Sequence, residues 1–192
     1  MPDLEFQRRL ITLNSPEVQI SLVSDASKKS AIVEVLSRSR FQAFSNPAFR
    51  KELAHYKRTN FTRDPLGMPG FTMGFSNPAS LFTPTFIRLV NIMKFVGKSE
   101  DLLFSTTPLF CIVGSAHNEQ RDWIQTGRTV QRILLEAQRH NIQSAVSAVP
   151  PDPGVLQTIL KSTARPQLFI RLGYTDHISP HAPRLTVDRV IT

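Results

Sequence analysis

The sequence predicts an α+β fold, in which helices and strands mix along the chain without regular alternation. Segments of strand length and segments of helical periodicity follow each other irregularly, unlike the repeated units of a doubly wound sheet. Residues 108–114 (PLFCIVG) form a continuous apolar run, which is typical of a central strand buried on both faces. With 41% hydrophobic and 20% charged residues, the chain has enough apolar material for one packed domain, residues 1–192.

The first elements are predicted to be two strands and two helices. Residues 5–13 and 17–23 carry Val, Ile and Leu at nearly alternating positions, and a turn separates them. Asp25 is a suitable N-cap for a helix, and Asn46 followed by Pro47 predicts the start of another. The predicted buried stripe of this second helix consists of Phe49, Leu53 and Tyr56.

Residues 60–83 predict a lid loop. Repeated Pro, Gly and Asn residues break any regular element, while the Phe and Met content is too high for a free linker. Thr83 and Pro84 then predict the start of a helix that ends at Gly97.

The second half is more regular. After the apolar strand, Asn118 is predicted to cap a long helix, and a short helix follows from residues 152–153. Residues 167–174 alternate in the manner of a half-buried strand. The predicted apolar stripe of the long helix is Trp123, Gly127, Val130, Leu134 and Ala137.

Positive charge is concentrated in residues 38–63, which we name the basic segment. The chain carries a formal net charge of +8, and seven basic residues lie in this segment among five aromatic ones. They are Arg38, Arg40, Arg50, Lys51, Lys57, Arg58 and Arg63. Such a pattern suits a single-stranded nucleic acid, but it equally suits the solvated faces of helices. Because no nucleic-acid-binding motif accompanies it, we favour the solvated faces.

Several classes of protein are excluded or disfavoured. A single cysteine, Cys111, excludes a disulfide framework and a thiolate-rich zinc site, and its apolar strand would shield it from substrate. No phosphate-binding glycine loop, HExxH or GxSxG occurs, and Pro180 between His177 and His181 removes a helical metal pair. No apolar run reaches the roughly 18 residues of a membrane span. We therefore expect a soluble cytoplasmic protein without a metal.

Five ordered segments carry a resemblance to a known family. They are NPAFRKELAHYKR at 46–58, DPLGMPGF at 64–71, the segment from DWIQTGR to SAVP at 122–150, RPQLFIRLGY at 165–174 and APR at 182–184. Together they resemble the nitroreductase family, and most of all its dormancy-associated homologues, in which a Trp-x-x-x-Gly-Arg helix and a PQ-x-x-x-R-x-Gly-Tyr strand recur. Residues 37–40 also resemble the family's flavin-binding opening, but the match at Asn46 aligns downstream of that opening, so we do not assign them to it.

The resemblance implies a fold, a cofactor and an activity. The fold is an antiparallel sheet flanked by helices, and the protein is a homodimer with FMN at its interface. The activity is hydride transfer from NAD(P)H through FMN to a small-molecule electron acceptor, a nitro or quinone compound. Arg184 matches the C-terminal arginine that pairs with the FMN phosphate. Ala145, Val146, Ser147 and Ala148 match a turn whose backbone amides approach the flavin ring. Residues 64–74 match a lid, and no catalytic residue is assigned.

One departure from the family leaves alternatives open. Full-length members carry a further N-terminal region with an arginine-rich flavin-binding opening, so the chain is expected to be an N-terminally shortened, incomplete fold. It would then bind FMN weakly, because phosphate affinity rests on several converging charged hydrogen bonds. Flavin storage would be the other form of the flavoprotein function. The alternatives are an inactive relative or a partner subunit that completes another chain's flavin site and, from the basic segment, a basic nucleic-acid-binding module.

Overall fold

The structure, a computed structural model, describes residues 1–149, 153–176 and 184–191. The described helices are α1 (Leu4–Ile11), α2 (Ala26–Ser45), α3 (Pro47–Tyr56), α4 (Asn77–Leu89), α5 (Met93–Thr106), α6 (Gln120–Arg139) and α7 (Gly154–Leu160). The strands are β1 (Val18–Val23), β2 (Lys57–Arg58), β3 (Met68–Pro69), β4 (Leu109–Ser115), β5 (Gln143–Ala148) and β6 (Arg165–Gly173). Two short 3-10 turns cover Gly70–Met73 and Val187–Arg189.

Backbone contacts group the chain into two compact units. The first unit contains Met1–Ser39 and Lys98–Asp176, and the second contains Arg40–Gly97 and the described residues 184–191. Two of the boundaries between these segments fall inside helices, one in α2 and the other in α5. The prediction of one domain over residues 1–192 stays a prediction.

A four-stranded antiparallel sheet forms the centre of the first unit. Its strand order is β1-β4-β6-β5, and all seven residues of β4 are buried. One face packs against α1 and α6, where Phe6, Leu10 and Ile133 are fully buried. The other face packs against α2 and α7 through residues such as Ile32 and Leu156. This arrangement confirms the predicted α+β fold with an antiparallel sheet flanked by helices.

Several local predictions in this unit are confirmed. The strand at 17–23 is β1 and the apolar run is β4. The backbone N–H of Lys28 donates to the Asp25 carboxylate at 2.8 Å, as expected for the cap of α2. β6 is a strand, but it is not half-buried as predicted, because Phe169 packs into the core on the second face of the sheet.

The strand predicted over residues 5–13 is wrong, since this segment is helix α1. Phe6 and Leu10 lie four residues apart, so a helix places both in the core, where both are fully buried. Asp3 caps the helix by accepting a hydrogen bond from the backbone N–H of Phe6 at 2.7 Å. Arg9 pairs with Glu5 at 3.0 Å, one turn earlier.

The predicted boundaries in the second unit also need correction. The 60–83 segment is not wholly a loop, because β3, a 3-10 turn and the first turns of α4 lie within it. Helix α4 begins at Asn77 and passes through Pro84 instead of starting there. Gly97 does not end a helix, since α5 runs through it to Thr106.

The buried stripe predicted for α3 is wrong for the isolated chain. None of the residues of α3 is buried, and the side chains of Phe49 and Tyr56 are 38% and 52% exposed. The predicted cap is confirmed, because the Asn46 side chain accepts a hydrogen bond from the backbone N–H of Ala48 at 2.9 Å. No helix within the described residues is long and apolar enough to cross a membrane.

Candidate functional site

The predicted turn at residues 145–148 is the end of strand β5 and not a turn. Ala145, Val146, Ser147 and Ala148 pair with Arg171, Ile170, Phe169 and Leu168 of β6. None of the described strands pairs with the other side of β5. In an antiparallel edge strand, alternate residues direct their backbone N–H and C=O groups away from the sheet. Part of the backbone hydrogen-bonding capacity of residues 145–148 is therefore not used by the sheet, and their contact with a flavin ring stays a prediction.

Arg184 lies in an irregular segment of the second unit, and its side chain is exposed. It forms no hydrogen bond or ion pair with the residues that the structure describes. Its guanidinium is accessible to an anion, and the planar donor fork suits a phosphate. The remaining APR residues, and His177 and His181, lie outside the described residues.

Two arginines of the basic segment, Arg50 and Arg58, bind other groups of the second unit. The Arg50 guanidinium donates to the carbonyl oxygens of Phe44 and Ser45 at 2.8 and 3.0 Å, at the C-terminal end of α2. A cation stabilises this end of a helix because the last carbonyls lack helical partners. Arg58 pairs with the Asp64 carboxylate at 3.3 Å. These contacts support a structural role for the two charges.

The string at 37–40, which superficially resembles a flavin-binding opening, lies in α2. Ser37 donates its hydroxyl hydrogen to Asp101 at 2.9 Å, and Arg38 pairs with Glu34 at 3.0 Å. Both polar groups therefore already have partners within the first unit.

Lys57 differs from the rest of the basic segment because it is buried. Only 7% of it is exposed, although a lysine in a basic segment is expected on a solvated face. Its ammonium contacts the sulfur of Met73 and lies 3.9 Å from the sulfur of Met68. Desolvation by burial lowers the pKa of the Lys57 ammonium. The sequence carries no local pattern that distinguishes it from its solvated neighbours.

Hydrogen bonds of Asn60, one of them to Ser80, connect parts of the predicted lid. The Asn60 amide donates to the Phe75 carbonyl and to Asn77 Oδ1, both at 2.9 Å, while its backbone N–H donates to Ser80 Oγ at 3.0 Å. Gly70 lies so close that an added Cβ would be 2.6 Å from Asn60 Oδ1. This segment is therefore held by specific hydrogen bonds.

The helix motif of the resemblance, Trp123 with Gly127, lies on the solvent side of α6. Trp123 is 51% exposed, so its predicted place in an apolar stripe is wrong. Its indole N–H donates to Asn118 Oδ1 at 3.0 Å. Asn118 is not the cap, because Glu119 and Asp122 form a reciprocal capping box instead.

Cys111 is fully buried in β4, as predicted. Burial raises the pKa of its thiol to about 12, so the thiolate is strongly disfavoured. Among the described residues, no group of three or more His, Cys, Asp or Glu side chains is placed to hold a metal ion.

The described residues of the second unit line a groove and an apolar cavity. A groove of about 570 Å³ between α3 and α4 is lined by charged residues such as Lys51 and Arg88 and by apolar ones such as Ala48 and Pro84. A smaller cavity of about 260 Å³ is lined by α4 and the start of α5, almost entirely by apolar groups. Its aromatic lining residues are Phe75, Phe82, Phe86 and Phe95.

Comparison with known proteins gives a likeness of structure. No protein-family model and no curated protein sequence matches the chain. The FMN and NADPH-dependent nitroreductase NfnB of sphigopyxis sp. strain HMH matches with a TM-score of 0.61 and 13% identity, over 100% of this chain and 90% of that one. NfnB of Mycobacterium smegmatis, solved with NADPH, gives 0.58 and 14%, over 100% and 88%.

A third similar structure is an iodotyrosine deiodinase bound to FMN and 3-iodo-L-tyrosine. It matches with a TM-score of 0.60 and 16% identity, over 97% of this chain and 86% of that one. At such low identity the likeness concerns the backbone arrangement. The chain therefore has the fold of the FMN-dependent nitroreductases.

Proposed function

We propose that the protein is a nitroreductase-type flavoprotein that binds FMN and acts as a homodimer. Its reductant would be NADH or NADPH, and its electron acceptor a nitro or quinone compound, with flavin storage as the non-catalytic form of the same function. The observation that carries the proposal is the likeness to FMN-dependent nitroreductases over 100% of the chain, together with that to the FMN-bound iodotyrosine deiodinase over 97%.

The described residues offer groups that suit FMN. The outer edge of β5 presents backbone donors and acceptors at alternate positions from Ala145 to Ala148, which suit the polar edge of a flat ring. Arg184 presents an exposed guanidinium without a described partner, which suits a phosphate. When bound, FMN would accept and deliver the hydride, so the chain needs only to bind, orient and shield it.

Arg184 is one cation, whereas a phosphate is held tightly by several converging donors. We therefore expect reversible and weak FMN binding by the chain alone. If a second chain completes the site, affinity would increase with the concentration of that chain.

The visible spectrum of the purified protein tests the cofactor. We expect flavin absorbance, or uptake of added FMN accompanied by a rise in melting temperature. A colourless protein that takes up no FMN, even at high protein concentration, would contradict the proposal and leave an inactive relative of the fold.

Comparison of FMN with riboflavin, which lacks the phosphate, tests Arg184. Arg184→Ala is expected to weaken FMN binding by about tenfold or more, since a charged hydrogen bond contributes about 1.5–3 kcal/mol. The same variant should leave riboflavin binding unchanged. Arg189→Ala, in the nearby 3-10 turn, is the matched control and should alter neither affinity. An equal loss for both ligands would show that Arg184 does not bind the phosphate.

A further inference from the structure

The sulfur atoms of Met68 and Met73 are the described partners of the buried Lys57 ammonium. We name these three residues the Lys57 cluster. Lys57 begins β2 and pairs with Met68 of β3 in a parallel ladder, while Met73 ends the 3-10 turn that follows. The cluster therefore connects β2 with β3 and the 3-10 turn, both of which lie within the predicted lid.

The Lys57 ammonium is poorly satisfied in this cluster. An ammonium has three donors and is normally buried only beside oxygen acceptors, whereas a thioether sulfur is a weak acceptor. Lys57 has no oxygen acceptor for its ammonium among the described residues. The lowered pKa of Lys57 has the same origin, because burial disfavours the charged form and no anion compensates.

The two methionines are open to solvent although the amine is not. Met73 is 42% exposed and Met68 is 38% exposed, whereas Met93 is only 8% exposed. Both methionine residues are thus in contact with solvent and with any peroxide dissolved in it. Oxidation of a thioether adds one oxygen atom, and the resulting sulfoxide is polar.

We propose that Met73 is a peroxide-sensitive modification site whose sulfoxide oxygen becomes the hydrogen-bond acceptor of Lys57. In this step the sulfur lone pair attacks one peroxide oxygen and the O–O bond breaks. Methionine is oxidised by two electrons to the sulfoxide, and hydrogen peroxide is reduced to water. A dithiol-dependent reductase would reverse the step by returning two electrons.

The expected effect of this oxidation on stability is opposite to the usual one. Oxidation of a methionine in a protein core normally destabilises the fold, because it buries a polar group. At Met73 it would supply an acceptor to a donor that lacks one, so oxidation should stabilise the segment from β2 to the 3-10 turn. Oxidation of Met73 involves only the described contacts of Lys57 and does not require bound FMN.

Substitution by glutamine, which places an amide oxygen near the sulfoxide position, tests the proposal without peroxide. Met73→Gln should raise the melting temperature by about 2–4 °C in the wild-type background. In a Lys57→Met background the same substitution should lower it or leave it unchanged. Leu66→Gln, an exposed position in the same segment, is the matched control and should behave alike in both backgrounds.

A second measurement does not depend on the folding of the Lys57→Met variant. Acetic anhydride acylates only neutral amines, and peptide mass spectrometry reports the rate at Lys57. Each unit by which an oxygen acceptor raises the pKa of Lys57 slows this rate by about tenfold. Hydrogen peroxide treatment and Met73→Gln should both slow the acylation of Lys57, and Met73→Leu should prevent the effect of peroxide.

The proposal is overturned by any of three results. These results are oxidation of Met93 before Met73, an equal shift of the melting temperature by Met73→Gln with and without Lys57, and an unchanged rate of Lys57 acylation after Met73 is oxidised.

Discussion

Burial changes the chemistry of two side chains, the Lys57 amine and the Cys111 thiol. In both cases desolvation disfavours the charged form, so the pKa of the ammonium decreases and the pKa of the thiol increases. The effects on stability have opposite signs above neutral pH. The effect of each group on stability can therefore be measured separately by replacing its side chain.

Cys111 should reduce stability at alkaline pH. In the unfolded chain its thiol ionises near the ordinary pKa of 9.0, whereas in the folded protein it stays protonated up to about 12. Because the unfolded state then loses the proton first, stability decreases as pH rises from 9 towards 12. By pH 10 the loss should be about 1 kcal/mol in urea unfolding.

Cys111→Ala provides the control for this loss. The variant should be less stable than the wild type at pH 7, since it leaves a small cavity, but its stability should decline less between pH 8 and 10. Equal declines in both proteins would contradict the assignment. A thiol reagent that labels native Cys111 as fast as the unfolded protein would contradict its burial.

Lys57 should have the opposite effect. Its pKa in the folded protein lies below the ordinary value of 10.5, so the unfolded state binds more protons and stability rises with pH towards 10.5. Lys57→Met, which keeps the length of the side chain, should be more stable than the wild type at pH 7. The difference should shrink as pH rises, and a constant difference would show that the ammonium carries no desolvation cost.

At the scale of elements, local signals predicted those parts of the fold that depend on local chemistry. The apolar run of β4, the Asp25 cap of α2 and the alternation of β6 are each recognisable within ten residues. Helix α1 was missed because its two core residues, four apart, lie in a segment that also alternates. Strand β5 has a short sequence of small and polar residues with a single β-branched one, Val146, so its pairing with β6 defines it.

The candidate site was less predictable. The resemblance supplied Arg184 and residues 145–148, but a family turn could not indicate that this chain extends the segment as an edge strand. Burial of Lys57 depends on the pairing of β2 with β3, across nine intervening residues, and on the 3-10 turn beyond it. Charge patterning alone places that lysine in solvent.

A pair of glycines tests the packing of these elements. Gly127 is inside α6 with nothing within 4 Å of an added Cβ, so Gly127→Ala should stabilise the protein by about 0.5–1 kcal/mol.

At Gly114 in β4 an added Cβ would meet the Arg165 carbonyl oxygen at 2.9 Å. Gly114→Ala should therefore destabilise the protein, by about 1–3 kcal/mol in urea unfolding. Destabilisation by Gly127→Ala would indicate that a partner covers this side of α6.

At the scale of the whole molecule, large apolar side chains are exposed along the second unit. Phe82, Leu89 and Phe95 are each between 67% and 72% exposed. Phe82 and Phe95 also line the apolar cavity of this unit, and apolar surface that clusters in this way usually marks an interface. This surface supports the proposed homodimer.

Sedimentation velocity tests this proposal. We expect a species of twice 21.6 kDa at micromolar concentration, persisting in 1 M salt because apolar contacts are little affected by screening. Phe82→Ser with Leu89→Ser should favour the monomer, and Thr62→Ser, a small exchange in the same unit, should not. A wild-type monomer at all concentrations would contradict the dimer.

The outer edge of β5 affects the solubility of the chain before any ligand binds. It carries the sequence QSAVSA, without a charge or a proline to deter a neighbouring strand. Newly made copies could therefore join edge to edge and aggregate. If a bound flavin covers this edge, the yield of protein that stays in solution should increase with the supply of riboflavin to the expressing cells.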